Sequence, residues 1–203
     1  WQNEITAEHR AKVAAMCDKY LAALATYGRA SLTPTEQLSY DTLKWSLTAR
    51  RELGTHFFHL LPVGQFASPT LTFAQMGSGK SLHPFKTDRD FRNFISRAQG
   101  FSSWVDAAIA NMKEGVAKSI VQPKILMERV LAQLEPLMAD DPAKNVLFGP
   151  LQMIPADLAT ADKDRLTADY TAAIRQVMLP AYARLHAFIK MDYLPHCCDT
   201  AGI

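Results

Sequence analysis

The sequence predicts an all-α fold, an irregular array of about six helices with two long loops and a last helix kinked at Pro180. Three observations carry that prediction. Apolar residues recur at steps of three and four through most of the chain. Capping signatures stand where those stripes begin. No alternation of strand-like and helical runs supplies the material of a parallel sheet.

Taken in order, Val13, Met16, Tyr20, Leu24 and Tyr27 share one face of a first helix that stops at Gly28. Thr33-Pro34-Thr35-Glu36 opens the second, with Thr33 as the cap, Pro34 in the first turn and Glu36 closing a capping box. It runs to Gly54, with Arg50 and Arg51 at the end where positive charge is favoured. Thr87-Asp88-Arg89-Asp90 starts a third, carrying Phe91, Phe94, Ile95 and Ala98. Trp104, Val105, Ala108, Ile109 and Met112 predict a fourth that frays near Gly115. Pro123 opens a fifth with Ile125, Val130, Leu134 and Leu137. The last begins near Ala161 and carries Leu166, Tyr170, Ile174, Val177, Leu185, Phe188 and Ile189. All of this fits a single helical domain over residues 1–203.

Bulk properties exclude several functions. Hydrophobic residues make up 48% and charged residues 21%, the balance of a folded domain. A net charge of +2 supplies no basic field for nucleic acid. No run approaches the roughly eighteen apolar residues of a membrane span. The chain opens on Trp1 with no basic–apolar–small leader, so residues before it are expected to have been removed or left out. Cys17, Cys197 and Cys198 are too few for a disulfide framework, although one bridge from Cys17 to either partner is allowed.

The two long loops run from Thr55 to Lys86 and from Ala139 to about Thr160. Loops beyond about 12–15 residues are often functional or conceal short elements. Thr70-Leu71-Thr72-Phe73 suggests a short strand, and both loops are able to line a cleft. The first also holds AQMGSGKS, Ala74 to Ser81, one small residue away from a phosphate-binding loop. Such a loop must follow a buried strand and open a helix. Here Pro84 biases His83 away from helix almost at once. An exposed turn, with no nucleotide partner, is the expectation.

Other constellations have simpler structural explanations. His56 and His59 lack the third ligand zinc requires, and His196-Cys197-Cys198 are too close in sequence to converge on one ion. The pairs Asp88/Asp90, Asp140/Asp141 and Asp162/Asp164 sit where capping and dipole compensation account for them. No catalytic or metal-binding residue is assigned, and no His-Glu-x-x-His or Gly-x-Ser-x-Gly is present.

Five blocks carry a resemblance: SYDTLKWSL (Ser39 to Leu47), LLPVGQF (Leu60 to Phe66), HPFKTDRDFRNFISRAQGF (His83 to Phe101), GVAKSIVQPKILMERVLAQL (Gly115 to Leu134) and VMLPAYARLHAFIKMDYLP (Val177 to Pro195). In order and spacing they resemble the N-terminal part of the bacterial family known as domain of unknown function 885. The resemblance implies a mostly helical, exported protein, periplasmic or lipoprotein-anchored. It further implies that the chain continues into a second half with a gluzincin-like zinc site. Zinc would then lie in that missing half, with no cofactor in this chain, which alone would be inactive in a metallopeptidase-like hydrolase. The expected partners are that C-terminal half and a peptide substrate. Gln65, beside Gly64 in a Pro-bounded loop, is the substrate-binding candidate, because its amide offers an extended peptide both a donor and an acceptor. The alternative is a non-catalytic helical interaction module.

Overall fold

A computed structural model describes residues 2–66, 68–154, 156 and 158–200. Seven α-helices follow one another: α1 Ala7–Ala25, α2 Pro34–Leu53, α3 Pro69–Gly77, α4 Asp88–Ala117, α5 Lys124–Leu134, α6 Thr160–Ala173 and α7 Leu179–Phe188. The described residues contain no strand. One isolated bridge joins Pro123 and Cys198. The all-α class stands, with seven helices rather than about six.

Three differences explain the count, the first being that the single predicted last helix is divided into α6 and α7 by the stretch Ile174–Met178. The stretch predicted as two helices is the continuous α4, because Phe91, Phe94, Ala98, Phe101, Val105, Ala108 and Met112 stay in phase and all are buried. A mid-helix Gly100 costs about 1 kcal/mol against Ala, too little to break a helix with that much buried on one face. The suggested strand Thr70–Phe73 lies inside α3 instead, which Pro69 initiates in its first turn.

The chain divides into two compact units, Glu4–His59 and Leu60–Ile203 with Trp1–Asn3. In the first, α1 and α2 form a helical hairpin. Thr6 caps α1 by accepting from the His9 N–H at 3.2 Å. Thr33 and Glu36 make the expected capping box on α2. The ion pair Arg51–Asp18 at 2.9 Å crosses between the two helices, and Arg29 of the connecting 3₁₀ turn pairs with Asp41 of α2 at 2.6 Å.

In the second unit α4 is the spine. Thr87 and Asp90 cap it reciprocally. Asp90 also accepts from the Lys86 N–H at 3.0 Å. Burial pushes its carboxyl up, but these hydrogen bonds outweigh that and hold it below the usual value. Phe73 of α3 stacks on Phe101 with centroids 4.2 Å apart, and Tyr170 of α6 meets Phe91 edge-on at 5.5 Å. Pro180 stands just beyond a π-helical stretch, Ile174–Met178, between α6 and α7. The wider turn makes room for the ring and its missing N–H. A second π stretch, Ile189–Tyr193, precedes Pro195 in the same way.

Candidate functional site

Within the second unit, the two long loops meet. The first is ordered by α3 and by the extended segment Leu61–Gly64 before it. Side chains strap that segment down. Gln122 Nε2 donates to the Val63 carbonyl at 3.2 Å, and Gln133 Nε2 of α5 donates to the Gln65 carbonyl at 3.2 Å. The second loop holds a 3₁₀ stretch, Val146–Met153, started by the buried Asn145. Its amide nitrogen donates to the carbonyls of Leu137 and Ala139 at 3.0 Å each, while its oxygen accepts from the Leu147 N–H at 3.0 Å. Asn145 thereby pins this loop to the end of the α5 arm.

A cavity of about 510 Å³ opens where these parts converge. Leu71, Ala74 and Gln75 of α3 line it, with Ser78, Lys80 and Ser81 of the next turn, Gln133 of α5, Leu137 and Val146. Its floor is apolar and its rim carries amides, hydroxyls and one ammonium. That composition suits an extended chain whose side chains seek apolar contact and whose backbone seeks hydrogen bonds.

The glycine-rich motif is part of this wall. Gly77 ends α3, and a Cβ there would lie 2.7 Å from Phe94 Cζ and 2.8 Å from Leu147 Cδ2. Gly79 adopts φ +75°, a left-handed conformation, with Met153 Sδ 2.5 Å from where a Cβ would stand. The motif closes a helix, and the next one starts only at Asp88, the reverse of a phosphate loop. Its backbone is packed against the second loop, a firmer placement than an exposed turn implies.

Gln65 lies beside the cavity, outside its lining. Its Oε1 accepts from Arg129 Nη1 at 3.3 Å, and its carbonyl from Gln133. Gln133, Lys80 and Asn145 were not singled out from sequence. The run Asp-Asp-Pro-Ala-Lys-Asn before apolar Val146-Leu147-Phe148 did hold a capping signal for Asn145.

The remaining candidates are accounted for locally. Asp88 pairs with Arg92 at 2.6 Å, Asp162 with Arg165 at 3.1 Å and Asp140 with Arg175 at 2.9 Å. All three cysteines are free thiols, so the bridge allowed by their count is not formed. Cys197 donates to the Tyr193 carbonyl at 3.6 Å. Burial chiefly, with Cys198 beside it, pushes its thiol up to about 11. Among the described residues no three His, Cys, Asp or Glu side chains converge as a metal site.

No described helix is long and apolar enough to cross a membrane. No curated protein matches the chain. Among solved structures the fold is similar to one described as "the crystal structure of the putative lipoprotein from Colwellia psychrerythraea", with a TM-score of 0.77 at 15% identity. The match covers 97% of this chain and 34% of that one, so this chain spans about a third of the other's length. At that identity the likeness is one of fold. Residues 1–202 match the family described as bacterial protein of unknown function (DUF885), and the chain belongs to that family.

Proposed function

We propose that this chain forms one wall of a peptide-binding cleft in a larger, exported metallopeptidase-like protein whose zinc site lies in the C-terminal remainder. The observation that carries the reading is the cavity between the two loops, with its apolar floor and its rim of Gln75, Gln133, Ser78 and Lys80. These residues bind and orient a peptide, and Gln65 acts by holding Gln133. Hydrolysis belongs to the remainder of the protein. The partial coverage of the longer relative supports the existence of such a remainder.

Binding of a fluorescein-labelled apolar hexapeptide, followed by anisotropy, tests the cleft. Gln133→Ala combined with Lys80→Ala is expected to weaken it about tenfold, the loss of one or two net hydrogen bonds. Equal affinity in the double variant contradicts the cleft assignment.

The alternative, a non-catalytic helical interaction module, is favoured by one observation. In the first unit Tyr27, Leu38 and Trp45 are exposed, a composition suited to a protein partner. Under the main reading the remainder of the polypeptide covers that face.

A further inference from the structure

The open end of the α1–α2 hairpin holds a second cavity, of about 510 Å³, built entirely from the first unit. Val13 of α1, Leu53 of α2 and Phe58 of the following 3₁₀ turn give it an open apolar wall, with Leu53 and Phe58 more than half exposed. Its rim is basic. Arg10 comes from the start of α1, Arg50 and Arg51 from the last turn of α2, and His56 and His59 from the turn beyond. Glu4 is the one acidic side chain lining it.

Two of the arginines are occupied. Arg51 Nε donates to Asp18 at 2.9 Å, and Arg10 Nη1 donates to the Ile5 carbonyl at 2.6 Å. Arg50 is exposed and has no carboxylate within ion-pair distance among the described residues. The start of α1 adds the positive end of a helix dipole to the same cavity. The dipole of α2 accounts for basic residues at its end, but it accounts neither for Arg10 nor for the exposed apolar wall beside them.

We infer that this cavity binds an organic anion, a carboxylate carried on an apolar body, with Arg50 taking the carboxylate and Val13, Leu53 and Phe58 the apolar part. A guanidinium fork grips a carboxylate bidentately, and such charge-assisted bonds strengthen beside apolar surface. A medium-chain acyl anion and the free C-terminus of an apolar peptide share this chemistry. The site belongs to the first unit and the peptide cleft to the second, and neither assignment depends on the other.

Calorimetric titration of the purified chain with decanoate, and separately with an acetylated apolar tripeptide bearing a free carboxylate, tests the inference. Decanol and the tripeptide amide serve as neutral controls. Saturable binding of decanoate alone identifies an acyl anion, and binding of the tripeptide alone identifies a peptide terminus. Either supports the site if Arg50→Gln weakens it about tenfold, as loss of a charge-assisted hydrogen bond predicts, and Arg50→Lys restores part of the loss. Arg50 is exposed, so unchanged far-ultraviolet dichroism is expected in both variants. Absence of binding by both anions, equal binding of the neutral controls, or full affinity in Arg50→Gln overturns the inference.

Discussion

The two units of this protein handle their apolar residues in opposite ways. The larger unit turns Phe73, Phe85, Phe91, Phe94, Phe101 and Tyr170 into one stacked and edge-packed interior. The hairpin of the smaller unit buries only Cys17 and Leu47 among its described apolar residues, while Trp45 is 73% and Leu38 68% exposed. The contrast is not one of composition. On α2, Leu38 and Trp45 fall within about 20° of arc, on the side opposite Leu47. That helix therefore has two apolar faces. One meets α1, and the other faces solvent. The second unit has a large core of its own, whereas the hairpin leaves large apolar side chains exposed.

Phe94→Ala sharpens the comparison most. It removes a fully buried ring that touches Phe73, His83, Phe85 and Tyr170. Chemical denaturation is expected to show a loss of about 3–5 kcal/mol. Alkali should act on the same unit. Burial raises the phenols of Tyr170, Tyr182 and Tyr193, the last from 10.0 to about 12. Groups held protonated by the fold contribute stability that is whole below the ordinary phenol value and drains away as pH rises through the raised one. Thermal melts should fall steeply between pH 10 and 12.

Gly77→Ala forces a methyl against Phe94 and Leu147, with an expected cost of about 1–3 kcal/mol and a loosened cleft wall. Thr87→Ala removes the cap of α4 and should cost about 1 kcal/mol, read from the denaturation midpoint. Trp45→Ser in the hairpin should change stability by less than about 0.5 kcal/mol, because little is buried to lose. A loss as large as that of Phe94→Ala would erase the distinction between the two units.

How much of this the sequence showed depends on whether the signal was local. The boxes at Thr33/Glu36 and Thr87/Asp90 were readable because a cap and its partner lie within one turn. The apolar stripe of α1 was read correctly as helical, but its buried centre lies at Cys17, while Met16, Tyr20 and Tyr27 are exposed. Periodicity gives the existence of a face and not what covers it. The Thr70–Phe73 stretch is too short for periodicity to separate strand from helix. The cleft was legible only as two long loops. That Gln133 and Lys80 share its rim, and that Gln65 stands behind it, depends on contacts spanning dozens of residues, such as Gln133 to Gln65.

The outward face of α2 offers the most direct test of the central claim, that this chain is one wall of a larger protein. Hydroxyl-radical footprinting would compare oxidation of Leu38 and Trp45 in this chain alone and in the polypeptide extended to the length of its structural relative. The account predicts strong labelling in the chain alone and several-fold protection in the longer polypeptide. Equal labelling of both side chains in both would contradict it and leave the hairpin as the docking surface of a separate partner.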